Sequence, residues 1–106
     1  MKFVISLMVI VVVSFSVMGA EVPTSKITYI SPWPQHVDIK TQAVHIDPEN
    51  CGDGNYYRID LISDPGAKAK LSTILSAAMA GKPVGLNVGE CVGNAPKIQG
   101  VRLYIN

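Results

Sequence analysis

Two cysteines, Cys51 and Cys91, lie forty positions apart in a chain of 106 residues whose first twenty read as an export signal. Lys2 precedes an apolar run from Phe3 to Val13, and the small residues Gly19 and Ala20 follow, which is the order of a secretory signal peptide. The apolar span to Met18 is interrupted by Ser6, Ser14 and Ser16 and falls short of the roughly 20 clean apolar residues of a membrane anchor. Cleavage is expected near Ala20, with a cut after Gly19 as the second choice. That leaves residues 21–106 as a single domain, periplasmic or secreted, in a compartment where disulfides persist. One cysteine pair allows one intramolecular bond, and closing so long a loop stabilises the fold by about 4 kcal/mol in the chain-entropy model. For a domain of about 86 residues that is a large share of net stability.

Without Lys2 the chain keeps eight basic and eight acidic side chains. Such a balance offers no broad attraction to nucleic acid or to anionic lipid, so neither partner is expected.

Hydrophobic patterning predicts five strands and one helix. A β-rich run spans Ser25 to Ile30 and is ended by SPWPQ, where Pro32 and Pro34 interrupt any ladder. His36 to Thr41 alternates Val37 and Ile39 with Asp38 and Lys40, the pattern of a half-buried strand. Val44 and Ile46 fall on the opposite parity, which implies a bulge or a separate short segment. Asn55 to Ile62 sets Tyr57, Ile59 and Leu61 against Tyr56, Arg58 and Asp60. Asp64-Pro65 reads as an N-cap followed by a first-turn proline, and Ala67, Leu71, Ile74, Leu75 and Ala78 keep the spacing of one helix face. Gly81 and Pro83 then stop a helix of about 65–80. Val84, Leu86 and Val88 alternate with Gly85, Asn87 and Gly89, whose bare face leaves room for another backbone. Val101, Leu103 and Ile105 form the last strand. A helix between strands 3 and 4 of a β-rich α+β chain is the order of a small OB-like five-stranded barrel; an open antiparallel sheet with the helix across one face is the alternative.

The nine residues DPENCGDGN, Asp47 to Asn55, gather carboxylates, amides and glycines around Cys51. Laid on the EF-hand template they put Cys51 and Arg58 where an oxygen ligand and a bidentate acid are required, so the match fails. His36, His45 and the two cysteines lack zinc-ligand spacing, and no metal or cofactor is expected. No serine sits in a Gly-x-Ser-x-Gly elbow, and the cysteines lack CxxC spacing. The expectation is a chain without enzymatic activity, in which DPENCGDGN is the polar turn that delivers Cys51 to its partner.

Aromatic residues supply the better hint. Tyr56 with Arg58, and Tyr104 with Arg102, pair a ring with a guanidinium on one strand face, while Trp33 stands between two prolines. Rings beside hydrogen-bonding groups suit sugars, whose C–H faces pack on the ring while polar neighbours take the hydroxyls. These five residues are the candidate ligand-binding set; Tyr and Arg also pave the outer faces of ordinary strands.

The run ISPWPQ and VDIKT through DPENC and NYYRID, then DPGAKAKLSTILSAAMAGKPVGLNVGEC and GNAPKIQGVRLYI, resembles small exported proteins related to the binding subunit of subtilase cytotoxin. The resemblance covers about residues 27 to 105. It implies an OB-like domain with a Cys51 to Cys91 disulfide, glycan recognition on host or other surfaces, and a ring of five copies beside a separate catalytic subunit. No glycan-contact residue carries over to a numbered position here. An envelope protein that binds another protein through a sheet edge or the glycine-bearing strand, with no glycan ligand, is the competing expectation.

Overall fold

The computed structural model describes residues 19–52 and 54–105; the expected signal segment lies outside them up to Met18. Seven elements follow one another: β1 (Ala20–Ser25), β2 (Ile27–Pro32), β3 (His36–Thr41), β4 (Tyr57–Asp60), α1 (Ala67–Ala80), β5 (Val84–Val92) and β6 (Ala95–Leu103). The protein is a small β-rich α+β domain with one mixed sheet of six strands in the order β1-β5-β6-β4-β3-β2. All pairings are antiparallel except β4 with β6. The strands at the two ends of this order, β1 and β2, are consecutive in the chain and are separated only by Lys26.

Six strands replace the expected five because the run before Ile27 is a strand of its own. Pro23 lies in β1, where the register with β5 shifts between Val22 and Ser25. A proline is tolerated there because β1 has no partner on its other side. Pro32 is tolerated for the same reason, and β2 runs on through it to pair with Val37. His36–Thr41 is a strand as its alternation predicts, whereas Ala43 to Ile46 is loop.

Bulges explain parities that simple alternation misses. Between the Asn87↔Gly100 and Val88↔Ile98 pairs, β6 carries one extra residue, Gln99. The extra residue flips the parity, so Ile98 before it and Val101 and Leu103 after it all pack on the core. An extra residue at Thr28 likewise turns both Ile27 and Ile30 inward. Val22, Val37, Ile39, Tyr57, Ile59, Ile74, Leu86 and Ile98 bury together as the core.

The helix packs against β6, β2 and β4 and starts at Ala67, later than expected. Its N-cap is Gly66, with no side-chain cap. Asp64 instead takes the Gly66 N–H at 2.8 Å and binds Lys70 Nζ at 2.5 Å, while Lys70 also donates to the Ile98 carbonyl at 3.1 Å. That clip ties the first helical turn to β6. Ala67, Ile74 and Ala77 form the buried stripe, and Leu75, expected on it, is 41% exposed at its flank. Gly81 ends the helix at φ 66°, a left-handed position that costs glycine little, and Lys82 N–H closes on the Ala77 carbonyl.

The space above Gly85 and Gly89 is filled. The Arg102 guanidinium lies over Gly85, and the Gln99 side chain would stand 2.8 Å from a Cβ at position 89. These glycines admit side chains from β6, and no second backbone fits above them.

Candidate functional site

The β2–β3–β4 part of the sheet turns one face to the core and carries an ordered set of rings and charges on the other. The register fixes them. Tyr29 lies opposite Lys40, and Ile39 opposite Tyr57, so Lys40 is flanked by Tyr29 on β2 and by Tyr56 just ahead of β4. Lys40 Nζ lies 5.1 Å from the centre of the Tyr29 ring and 4.8 Å from that of Tyr56. The ring centres are 5.7 Å apart and tilted by 41°. Both distances fall within cation–π range.

The next row pairs Ser31 with Asp38 and Asp38 with Arg58. Asp38 is buried and accepts Arg58 Nε–H at 2.7 Å, with His36 Nε2 at 3.5 Å. Arg58 also donates through Nη1 to the Val92 carbonyl at 3.2 Å and to Asn94 Oδ1 at 3.0 Å. Gly93 permits this approach: it begins the two-residue β5–β6 turn at φ 62°, and a Cβ there would lie 3.0 Å from Arg58 Nη1. At the end of the strip the Trp33 ring lies near-parallel to His36, 25° off, with centres 6.2 Å apart, and is 55% exposed. From His36 to Lys40 the strip is about 13 Å long, at roughly 3.3 Å per strand residue.

Of the sequence candidates, Trp33, Tyr56 and Arg58 therefore share this face, Arg58 with its Nε and Nη1 donors engaged inside the protein. Arg102 and Tyr104 belong elsewhere. Arg102 donates to Asn87 Oδ1, lies 3.6 Å from Glu21 Oε1 and covers Gly85. Tyr104 is exposed just past β6. Sequence reading missed Tyr29 and Lys40. The signal was present in ITYI and VDIK joined by SPWPQ, because a hairpin there brings the two polar faces together.

The DPENCGDGN segment holds the Cys51–Cys91 disulfide, with the two Cα atoms 5.6 Å apart. Asp47 accepts the Gly52 N–H at 3.0 Å and the Cys51 N–H at 2.8 Å, and these two bonds hold its carboxyl below the usual carboxylate range. The Glu49 carboxylate accepts the Glu90 N–H. Their oxygens are thus backbone acceptors: Asp47 closes the turn on itself and Glu49 joins it to β5. Among the described residues no three of His, Cys, Asp or Glu gather as metal ligands, and no helix is long and apolar enough to cross a membrane. Behind the turn, His45 stacks on buried Tyr57 with centres 4.6 Å apart, and Ile46 N–H donates to the Tyr57 hydroxyl at 2.9 Å. Burial pushes the Tyr57 phenol upward, opposed by that bond.

Comparisons with protein-family models and with curated protein sequences found no match to this chain.

Proposed function

We propose that this protein is an exported, non-enzymatic binding module whose outer β2–β3–β4 face recognises a carbohydrate or glycoconjugate. The observation that carries the reading is the Tyr29–Lys40–Tyr56 cluster. Two ring faces offer apolar surface to sugar C–H groups, and an ammonium held between them donates to hydroxyl or carboxylate oxygens. Trp33, exposed at the other end of the strip, adds a second platform. An open strip with several polar groups suits a ligand that is recognised and released unchanged.

The OB-like architecture belongs to the same reading. The strand order, the parallel β4–β6 pair and the contiguity of β1 with β2 are what a barrel would have if its first strand bent at Lys26 and closed both edges. The expected export signal and the disulfide support a periplasmic or secreted location. A ring of five copies beside a catalytic subunit remains the arrangement that the family resemblance implies, and light scattering on the purified protein measures it. A glycan array probed with the oxidised protein tests the ligand class. Selective binding of one glycan group supports the reading, and flat binding across sialylated and neutral glycans sinks it.

A second reading, a protein-interaction module with no glycan ligand, is favoured by one observation. Leu75 and Met79, one turn apart on α1, are 41% and 88% exposed. Recovery of a stoichiometric protein partner that is lost on Met79→Glu, together with a blank array, selects it.

A further inference from the structure

We propose that the Cys51–Cys91 bond is a reducible clip that holds the Tyr56 end of the β3–β4 loop against Lys40, so that a dithiol frees Tyr56 from the outer-face cluster while the sheet, and with it the Tyr29–Lys40 pair, stays folded. The inference rests on the reading of that cluster as the binding face.

Backbone geometry marks the clip. Among the described residues the two non-glycine residues with positive φ are Asn50 at 54° and Glu90 at 62°, and each immediately precedes one of the bonded cysteines. The left-handed region is costly for glutamate, which has neither the freedom of glycine nor the short side chain of asparagine. Such positions persist where their surroundings over-determine them. Here the surroundings are the β5–β6 bulge between Val88 and Cys91, the disulfide, the Glu49 carboxylate on Glu90 N–H and the Gln99 amide on the Glu90 carboxylate. Breaking the bond removes one of these restraints and lowers the cost of opening the others.

The loop carries the effect to the cluster. Tyr56 lies outside β4 and five residues beyond Cys51, in a stretch that contains Gly52 and Gly54. Its position depends on the two anchors beside it, the disulfide on one side and Tyr57 in the core on the other. Tyr57 is itself covered by His45 and Ile46 of the same loop. Cys91 is exposed, so a thiolate can reach its sulfur. Attack on Cys91 Sγ forms a mixed disulfide and releases the Cys51 thiolate. The second thiol of the dithiol then closes its own S–S bond and releases Cys91. Two electrons and two protons pass from the dithiol, which leaves oxidised, to the cysteines, which become thiols.

Dithiothreitol on the purified oxidised protein tests this, with mass analysis reporting the gain of two hydrogens. In the reduced protein, amides between Asp47 and Tyr56 are expected to lose most of their protection, while those of β3 and of Val84 to Val88 stay the slowest to exchange and fall only by the loss of global stability that opening the cross-link causes. The Lys40 ε-methylene NMR signals are expected to lose the part of their ring-current displacement that comes from Tyr56, while the Tyr29 part stays with the β2–β3 register. Reduced protein with unchanged Lys40 signals overturns the proposal, and so does complete loss of protection throughout the sheet. Glu90→Gly removes the left-handed cost and is expected to slow reduction about threefold; an equal or faster rate contradicts the role of strain. None of these readouts uses a sugar, so a blank glycan array and a failed clip are separate results.

Discussion

The ammonium of Lys40 sits 4.8 Å from the centre of the Tyr56 ring and 5.1 Å from that of Tyr29, so one cation joins rings borne on opposite sides of β3. Three consequences of ordinary sheet geometry meet there: a hairpin that sets Tyr29 opposite Lys40, a β3–β4 register that brings Tyr56 alongside, and polar residues alternating outward.

The pair energy is measurable without a ligand. A double-mutant cycle of Lys40→Met and Tyr56→Leu, read by urea denaturation, is expected to give a coupling of about 0.5–1 kcal/mol. Zero coupling would mean that the cation does not sit on the ring in solution.

Arg58 is a structural joint. It ties β4 to β3 through Asp38 and to the β5–β6 turn through Val92 and Asn94. Arg58→Ala leaves the buried Asp38 carboxylate without its strongest partner and is expected to cost about 2–3 kcal/mol in thermal or urea unfolding. Arg58→Lys keeps the charge without the fork of donors and should recover only part of that. A neutral Arg58→Ala would return Arg58 to the surface role that its sequence pattern first gives it.

Acid should destabilise the fold in a defined window. Asp60 is held below the ordinary carboxylate range by the Ser63 hydroxyl and by the Ile62 and Ser63 N–H groups, and Asp47 by Gly52 and Cys51 N–H. For Asp64, burial pushes upward, but the Lys70 ammonium and the Gly66 N–H outweigh it and the net shift is downward. With folded values below unfolded ones, the unfolded chain binds protons first as the pH falls. Stability is therefore expected to be flat above about pH 5 and to fall below about pH 4. The slope should be smaller in Asp64→Asn, as read by the urea midpoint against pH; a midpoint that rises on acidification contradicts this.

Gly85 should resist replacement by even one methyl group. A Cβ there meets the Arg102 guanidinium, which must leave Asn87 and Glu21. Gly85→Ala is expected to cost about 1 kcal/mol, or roughly 4–8 °C in melting temperature for a domain of this size. Gly54→Ala, with nothing within 4 Å, serves as the control.

Legibility in the sequence followed the range of the interactions involved. Local signals held: the alternation of Val37 and Ile39 marks β3, and Gly81 ends α1; the one long-range link that held is the disulfide, because a lone cysteine pair leaves no choice of partner. Other non-local ones did not. β1 was obscured because Pro23 breaks its pattern and its first residue, Ala20, is the last of the expected signal. The first half of β6 was hidden by the Gln99 bulge, which reverses the parity read from Val101 and Leu103. For the candidate face, Tyr56 was visible as a ring beside Arg58 on one strand face and Trp33 as a ring in a proline-flanked loop. Tyr29 and Lys40 join them only through cross-strand register. Arg58 and Arg102 looked free because partners such as Asp38, Val92 and Asn87 lie on other strands.

The most direct measurement is a parallel glycan-array titration of the oxidised protein and its Tyr56→Ala and Tyr104→Ala variants. A binding face at Tyr29, Lys40 and Tyr56 requires saturable, glycan-selective binding that falls at least about tenfold in Tyr56→Ala, the scale of a lost ring contact. Tyr104→Ala should leave it unchanged. Equal binding by the wild type and Tyr56→Ala, or no glycan selectivity at all, would contradict it.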